Sequence, residues 1–490
     1  MNSIPHHILQ PLGDRRSFLA RAGGLGTLAL GDLLRGADLG GPGSGNTASI
    51  DPLAPHKGHF PGKATAVIWL FMNGGPSQVD TWDYKPVLQK KDGVKLENFD
   101  NDTGFFTDQV GPLMKSPFKW AQHGKSGTWV PEIFPNLSRH VDDMAFVHSC
   151  HTETNNHSPA LFQMNTGFSR MGYPCVGSWV TYGLGSEARN LPSFVVMYDT
   201  LGRGLPKGHA ANWSAGFLPG IFQGTALNPK GQPIDNLVPP AGVSPSAQTR
   251  QLDLLRKLNQ GHLERNPDEP EFAARIQSYE LAYRMQMAAP EAFDVTRESK
   301  AVKEQYGIDS PRCGHFAKQC LLARRLVERG VRYVQIFSGG MENERSWDGH
   351  SNIADNHRQF AGETDQPAAA ILYDLNSRGL LVSTLVIWGG EFGRLPVAQR
   401  PKDSSQTGRD HNPHAFTTWF AGGGTKGGTH YGETDEIGHK AAVNKASVND
   451  LHATILHTLG LDHTKLTFRY NGRQFRLTDV AGNVIKPILT

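Results

Sequence analysis

The sequence predicts an α/β fold in which a mainly parallel central sheet carries helices on both faces. Two observations predict it. Short, continuously apolar runs recur along the chain, and longer stretches with apolar residues three and four positions apart lie between them. Continuous apolar runs are typical of strands buried on both faces, and alternation of strands with helices favours parallel pairing. In such a sheet, ligands bind beyond the carboxyl ends of the strands.

Six apolar runs are predicted to be strands, and three amphipathic stretches are predicted to be helices. The first run is followed by Asn-Gly-Gly-Pro, which indicates a strand that ends in a loop. The predicted strands are Ala66–Phe71, Met144–His148, Ser193–Met197, Val331–Phe337, Leu381–Trp388 and Ala415–Phe420. The predicted helices are Cys313–Arg329, Ile353–Ser377 and Val448–Leu459.

The composition is that of a folded protein without a strong charge bias. The 490 residues include 49 Lys and Arg against 46 Asp and Glu, and 38% of them are hydrophobic. These values argue against a disordered chain, a polybasic nucleic-acid binder and an acidic tail protein. The 21 histidines justify a search for a metal site, because imidazole is the commonest metal ligand.

Residues 1–55 are predicted to be a twin-arginine export signal with a linker. Arg15 and Arg16 are followed by Ser-Phe-Leu and then by the mildly apolar run Ala22–Leu30. A chance Arg-Arg pair in a disordered leader is the alternative. The signal predicts a periplasmic or extracellular protein, and no run reaches the roughly 20 apolar residues that span a bilayer.

Residues 56–490 are predicted to form a single α/β domain with insertions at about 92–130 and 246–307. The second insertion carries long polar helical patterns that we expect to be broken by Pro267, Pro270 and Pro290. Four cysteines could form up to two disulfides in an oxidising compartment, and their pairing is left open. They are Cys150, Cys175, Cys313 and Cys320.

Polar side chains gather in the loops that follow the first predicted strand. Asn73 and Asp80 offer oxygen ligands, and Gly74 and Gly75 allow a bound anion to approach the backbone closely. A plain Gly-Pro turn is the alternative.

The loop after the second predicted strand leads into a helix. Pro159 suits a first helical turn, which places His157 or Ser158 at a helix N-terminus, where backbone N–H groups favour an anion. Ser158 as a simple helix cap is the alternative.

Three further loops carry charged side chains at the same end of the predicted sheet: two mix carboxylates with imidazoles, and the third pairs Glu391 with Arg394. Such a mixture suits zinc, manganese or iron without selecting among them. A solvated acidic loop, a loop salt bridge and chance in a His-rich chain are the alternatives. The candidate residues are Asp348, His350, Glu391, Arg394, Asp410, His411 and His414.

Longer motifs resemble the exported family called domain of unknown function 1501. The resemblance spans about residues 60–480 and rests on residues 74–86, 388–394, 408–414, 421–435 and 472–477. That family is similar to the alkaline phosphatase and sulfatase superfamily, whose members cleave phosphate or sulfate esters at a bimetal-type site. The resemblance therefore implies an alkaline-phosphatase-like fold and a divalent metal, either zinc, manganese or calcium.

The sequence also departs from that superfamily at the expected nucleophile. Aligned on Pro159 and Thr166-Gly167, the nucleophile position falls on His157, without the Cys and Arg of a formylglycine sulfatase. His157 could then be a ligand, a nucleophile or a general acid, and Ser158 is the nearest hydroxyl.

The expected metal ligands are altered as well. Asn73 or Asp80 stands where a first-strand aspartate is expected, and Glu391 begins the segment that replaces an Asp-His or Asp-Asn pair. Asp348 with His350, and His411 or His414, are carried over as ligands. A one-metal site, a rearranged two-metal site and a lost site all remain open.

Two functions follow from these residues. The first is an exported metal-dependent hydrolase of phosphate or sulfate esters, with His157, Ser158 and Arg394 as candidate catalytic residues and Gly74, Gly75 and Ser158 as candidate anion-binding residues. Its substrate would be a small-molecule or polysaccharide ester, and no nucleic acid is expected. The second is a catalytically inactive, sulfatase-like binding or scaffolding protein of the cell envelope. The oligomeric state is left open.

Overall fold

The computed structural model describes residues 51–97, 99–100, 103–228, 233–234, 244–265, 270–400 and 406–490. The predicted twin-arginine motif lies outside the described residues. Within those residues, no helix combines the length and the apolar character needed to cross a bilayer.

The chain divides into two compact units. The larger comprises Ala48–Phe468 and Arg476–Thr490, and it contains the central sheet and the helices named below. The smaller comprises Met1–Thr47 and Arg469–Phe475, of which only the second segment is described.

The described strands and helices alternate along the chain. The strands are β1 Ala66–Met72, β2 Val110–Leu113, β3 Trp120–His123, β4 Thr128–Pro131, β5 Met144–His151, β6 Phe194–Met197, β7 Thr225–Ala226, β8 Tyr333–Ser338, β9 Thr384–Gly389, β10 Gly393–Arg394, β11 Val397–Gln399, β12 His411–Asn412, β13 Phe416–Ala421, β14 Thr429–Tyr431, β15 Glu433–Thr434, β16 Ala441–Val443, β17 Ala446–Ser447, β18 Phe468–Tyr470 and β19 Arg473–Phe475. The helices are α1 Gln78–Thr81, α2 Pro86–Lys90, α3 His157–Thr166, α4 Val176–Leu184, α5 Pro245–Arg265, α6 Pro270–Phe293, α7 Lys300–Tyr306, α8 Gly314–Glu328, α9 Ile353–Ser377 and α10 Val448–Thr458.

The central sheet confirms the predicted mainly parallel α/β fold. Among the described strands its order is β14-β5-β13-β9-β1-β8-β6-β7, with β17 also paired to β5. Strand β1 lies in the middle and pairs in parallel with β8 and β9, so that Phe71 lies beside Phe337 and Gly389.

Strand β13 departs from the predicted parallel pattern, because it is antiparallel to both β5 and β9. A parallel return needs a long crossover, usually a helix. The chain between β9 and β13 carries only the short strands β10, β11 and β12 among its described residues, so it turns back at the same edge of the sheet. The segment before β13 therefore lies beside the loops that follow β1 and β9.

The sheet is buried on both faces, as the continuous apolar runs predict. Along β1, Ile68 and Leu70 pack into one hydrophobic cluster with α8 and α9, whereas Val67 and Trp69 pack into a second with α3, α4 and α10. Successive side chains of a strand point to opposite faces, so one apolar run serves both layers. Fully burying such side chains contributes about 1.5–3 kcal/mol each.

The second predicted insertion is helical, but one expected break is absent. Pro270 begins α6, whereas Pro290 lies inside α6, which continues to Phe293. A proline so near the helix end removes one backbone hydrogen bond without ending the helix. Pro267 lies outside the described residues.

No disulfide joins the four cysteines, all of which are described and buried with free thiols. The Cys150 thiol donates to the carbonyl of Val147, and the Cys175 sulfur lies 3.2 Å from the Ser178 hydroxyl. Burial raises the pKa of Cys150 to about 12, which makes it an unreactive thiol.

Candidate metal centre

Five segments from distant parts of the sequence meet at the carboxyl edge of the central sheet. Four of them follow strands and one precedes the antiparallel β13, which enters the sheet from that edge. The segments are residues 73–75 after β1, 152–157 after β5, 339–350 after β8, 390–394 after β9 and 408–412 before β13.

Helix α3 presents its first residue, His157, to this edge. The Asn156 side chain caps the helix by accepting a hydrogen bond from the Ser158 backbone N–H at 3.3 Å. At the other end, Gly167 takes the left-handed conformation, with φ of +81°, and ends the helix. The two caps set the position at which His157 enters the site.

Four side chains bring ligand atoms to one point. They are His157, Asp348, His350 and His411, all buried or nearly so, and their ligand atoms lie within 4.8 Å of one another. Asp348 is central: its Oδ1 lies 2.8 Å from His350 Nε2 and 3.2 Å from His411 Nε2. Its Oδ2 lies 3.2 Å from His157 Nε2.

Each of the three imidazoles is held from behind by an oxygen on its Nδ1. His157 Nδ1 lies 2.7 Å from Glu391 Oε1, and His411 Nδ1 lies 2.6 Å from the backbone carbonyl of Asn155. His350 Nδ1 lies 2.7 Å from Gln399 Oε1. Acceptors at Nδ1 place a proton there and leave the Nε2 lone pair free, the usual arrangement behind a metal-binding histidine.

This arrangement fits a bound cation. His350 Nε2 and His411 Nε2 lie 2.9 Å apart, and two lone pairs facing each other at that distance repel. The Nε2 atom of His157 is buried and makes no hydrogen bond among the described residues. A divalent ion bound by these atoms would satisfy all three nitrogens and the Asp348 carboxylate together.

The carboxylates control the charge of His157. Burial by itself would lower the pKa of His157, but the nearby charges of Asp348 and Glu391 raise it to about 9. Burial and the positive charge of His157 hold the pKa of His411 well below its usual range. Burial would raise the pKa of Asp348, yet the charges of His157 and Arg394 keep it well below the usual range. At neutral pH the metal-free site therefore carries the His157 imidazolium beside the Asp348 carboxylate.

Arg394 connects Asp348 to the loop that contains Gly74 and Gly75. The Arg394 guanidinium, fully buried, lies 2.6 Å from Asp348 Oδ1 and donates to the carbonyls of Gly74 and Gly75. Gly74 has φ of +105°, and a Cβ there would lie 2.6 Å from the backbone nitrogen of Asp348. Only glycine permits this close packing of the two loops.

A sequence model of the DUF1501 family, described as a protein of unknown function, matches residues 64–489. The chain belongs to the DUF1501 family. The match takes in every segment that forms the candidate metal centre of this DUF1501 chain. No curated protein matches it by sequence.

Solved structures with a similar arrangement of elements include three hydrolases. They are a phosphonate monoester hydrolase from Silicibacter pomeroyi (TM-score 0.35, 11% identity, 88% of this chain and 76% of that one), a sulfatase from Pseudoalteromonas sp. (0.34, 11%, 81% and 68%) and the alkaline phosphatase of the Antarctic bacterium TAB5 (0.28, 11%, 81% and 98%). Likeness at these TM-scores does not indicate an activity.

Several predicted ligands of the DUF1501 chain lie outside the four-residue cluster. Asp80 forms a buried ion pair with Arg409, with Oδ2 2.6 Å from the guanidinium Nε. Asn73 donates through its Nδ2 to the carbonyl of Gly340 and so holds the loop after β8. His414 is half-buried, with its ring 6.3 Å from that of His439.

The remaining predicted residues surround the cluster. Glu391 accepts a hydrogen bond from the backbone N–H of Gly74 at 2.9 Å. This N–H group is therefore bonded within the protein and is not free to bind an anion. Asp410 accepts from the backbone N–H groups of His411 and Phe106 at 2.8 and 2.6 Å. Ser158 is partly exposed, next to His157 at the start of α3.

Sequence reasoning missed the outer partners. Asn155 acts through its backbone carbonyl, which leaves no signal in residue type, and Gln399 depends on the path of β11. Arg409 stands in the motif at residues 408–414 and is the one partner with a visible signal in the sequence. Aromatic rings complete the surroundings, because Phe392 packs against the rings of His157 and His411 at 4.8 and 4.6 Å.

Proposed function

We propose that this DUF1501 protein is an exported, metal-dependent hydrolase of phosphate or sulfate esters. The observation that supports it is the convergence of three Nε2 lone pairs and one carboxylate at the carboxyl edge of an α/β sheet. The ester class is taken from the resemblance of the sequence motifs to the alkaline phosphatase and sulfatase superfamily. Export is taken from the twin-arginine motif at Arg15 and Arg16.

The donor set bears on the identity of the ion. Three imidazole nitrogens and one carboxylate favour zinc, manganese or iron over calcium, which prefers oxygen ligands. Four protein ligands saturate an ion that takes four, whereas an ion that takes five or six keeps positions for substrate and water. Bound there, a divalent ion supplies a Lewis acid that polarises a phosphoryl or sulfuryl oxygen.

The side chains divide into binding and positioning roles. His157 has its Nδ1 bonded to Glu391 and its Nε2 turned toward Asp348, which favours a ligand over a nucleophile. Ser158 carries the partly exposed hydroxyl next to it, and we assign it as the candidate nucleophile. Arg394 orients Asp348 through the contact between its guanidinium and Asp348 Oδ1.

The experiment compares metal content and turnover in matched variants. His411→Ala removes a ligand, whereas His414→Ala removes the neighbouring imidazole that lies outside the cluster. We expect the wild type and His414→Ala to retain metal after desalting and His411→Ala to lose it while staying folded by circular dichroism.

Turnover is then measured on p-nitrophenyl phosphate, bis(p-nitrophenyl) phosphate and p-nitrophenyl sulfate. Hydrolysis by the wild type and by His414→Ala, and none by His411→Ala, supports the proposal. Metal loss in both variants, or hydrolysis that survives in His411→Ala, contradicts the ligand assignment.

One observation favours the alternative of a catalytically inactive binding protein. The four ligand residues are enclosed, and the rings of Phe105 and Phe106 lie 5.7 and 5.1 Å from those of His411 and His350. A metal held only for structure would suit such enclosure. Metal that is retained by the wild type and lost in His411→Ala, with no turnover of any ester, would support this second function.

A further inference from the structure

The surroundings of the Arg394 guanidinium resemble those of a hard metal ion. Its Nε donates to the carbonyl of Gly75 at 2.8 Å, its Nη1 to the carbonyl of Arg409 at 3.2 Å, and its Nη2 to the carbonyl of Gly74. The same Nη2 lies 2.6 Å from Asp348 Oδ1. Three carbonyl oxygens and one carboxylate oxygen are a donor set that proteins offer to divalent cations of the calcium and magnesium type.

This oxygen set adjoins the cluster of histidines. Asp348 Oδ1 contacts Arg394 on one side and the Nε2 atoms of His350 and His411 on the other, at 2.8 and 3.2 Å. In two-metal hydrolases, the cations lie about 3.5–4 Å apart and clamp the reacting group between them. Arg394 thus holds the position at Asp348 that a second cation would need.

The charges of the buried residues around the site also favour a single divalent cation. Asp80 and Arg409 form a bidentate pair, with contacts of 2.6 and 3.2 Å, and cancel each other. Around the cluster itself, the buried carboxylates are those of Asp348, Glu391 and Asp410, and the buried guanidinium that contacts Asp348 is that of Arg394. These carboxylates outnumber the one guanidinium beside them, which favours a bound divalent ion. A second divalent ion would lie directly against the buried Arg394 guanidinium, and burying like charges side by side is costly.

We propose that the site binds one divalent cation, with Arg394 as a permanent second cation beside Asp348. The proposal rests on the metal site of the proposed function. This positive charge is covalently part of the chain, so a chelator cannot remove it. With its Nε, Nη1 and Nη2 all engaged by the protein, Arg394 positions Asp348 rather than contacting substrate.

The test counts cations in the full chain by two independent readouts. The protein is stripped with a chelator, loaded with excess Mn²⁺ and desalted, and its manganese is measured by elemental analysis and by electron paramagnetic resonance. We expect one equivalent and the six-line spectrum of an isolated Mn²⁺ ion. Two equivalents with a spin-coupled spectrum overturn this proposal and leave the hydrolase intact. No retained manganese or other divalent metal overturns both.

A pair of substitutions tests whether the charge of Arg394 is what excludes a second cation. Arg394→Gln removes the charge and vacates part of the oxygen set, and we expect it to take up a second equivalent of Mn²⁺. Arg394→Lys keeps a positive charge and should remain at one equivalent. If both folded variants bind one equivalent, the charge of Arg394 does not exclude a second ion and the proposal fails. If Arg394→Gln does not fold, the count and spectrum of the wild type decide.

Discussion

The His157 imidazole stands where a proton and a metal ion compete. Its Nδ1 lies 2.7 Å from Glu391 and its Nε2 lies 3.2 Å from Asp348, and these two carboxylates raise its pKa to about 9 against the effect of burial. Below that pH the metal-free ring carries a proton on Nε2 as well as on Nδ1, and a metal must displace the proton on Nε2.

Metal affinity should therefore depend on pH. We expect the Mn²⁺ affinity of the stripped protein to rise about tenfold per pH unit up to about pH 9 and then to level off, because His157 must be neutral to bind. Calorimetric titration in buffers of different ionisation enthalpy checks this and should show about one proton released at pH 7. An affinity that does not change between pH 6 and 8 would contradict the role of His157.

The raised pKa of His157 also makes the stability of the metal-free protein depend on pH. The pKa of His157 is raised from 6.5 to about 9. The contribution of His157 to the free energy of unfolding is therefore complete below about pH 6.5 and is lost as the pH rises through 9. Urea unfolding of the stripped protein should show this decline. Glu391→Gln removes one of the two carboxylates and should move the decline to lower pH.

Asp80 illustrates a carboxylate whose role is structural. It is fully buried against Arg409, which also donates to the carbonyls of Leu395 and Met114. Asp80→Asn leaves that guanidinium uncompensated, and we expect the free energy of unfolding to fall by about 3–5 kcal/mol while the metal content stays unchanged. The double variant with Arg409→Gln should recover part of the loss. Loss of metal without loss of stability would instead make Asp80 a ligand.

At the scale of elements, helix α3 and strand β13 set the positions of two ligands. Strand β13 runs antiparallel to β9, which brings the preceding β12 and its His411 beside β10 and Arg394. Helix α3 carries His157 as its first residue, directly after the capping residue Asn156. The positions of His157 and His411 therefore depend on how the start of α3 and the start of β13 are held.

Removal of the cap of α3 should affect metal binding as well as stability. Asn156→Ala should lower the free energy of unfolding by about 1 kcal/mol, the usual cost of a lost cap, and should weaken Mn²⁺ binding because His157 is adjacent. The matched control is Ser299→Ala, which removes the equivalent cap of α7, a helix without ligands. Equal metal affinity in the two variants would show that the start of α3 does not position His157.

At the scale of the whole molecule, we propose export through the twin-arginine motif, which lies outside the described residues. We expect replacement of Arg15 and Arg16 together by Lys to retain the protein in the cytoplasm, since the export machinery recognises the pair rather than the charge. Arg21→Lys is the matched control and should still be exported. Cell fractionation checks both, and an exported double variant would contradict the signal.

The sequence by itself determined the elements whose signal is local. Apolar periodicity located α9 at Ile353–Ser377, and continuous apolar runs located β1 and β13 to within a residue. These features depend on neighbours a few positions away, so residue order is enough. The family followed from motifs of the same local kind, and the family match over residues 64–489 confirms it.

Only the tertiary structure decided which side chains share the site. His411 and His414 are three residues apart and equal in type, yet only His411 lies in the cluster, because β12 pairs with β10 at Arg394. Asp80 reads as a ligand in the sequence but pairs with Arg409, more than three hundred residues away in the chain. These outcomes depend on contacts between distant segments and on the direction of β13. Local sequence patterns carry no information about such contacts, since they form only when the sheet brings its loops together.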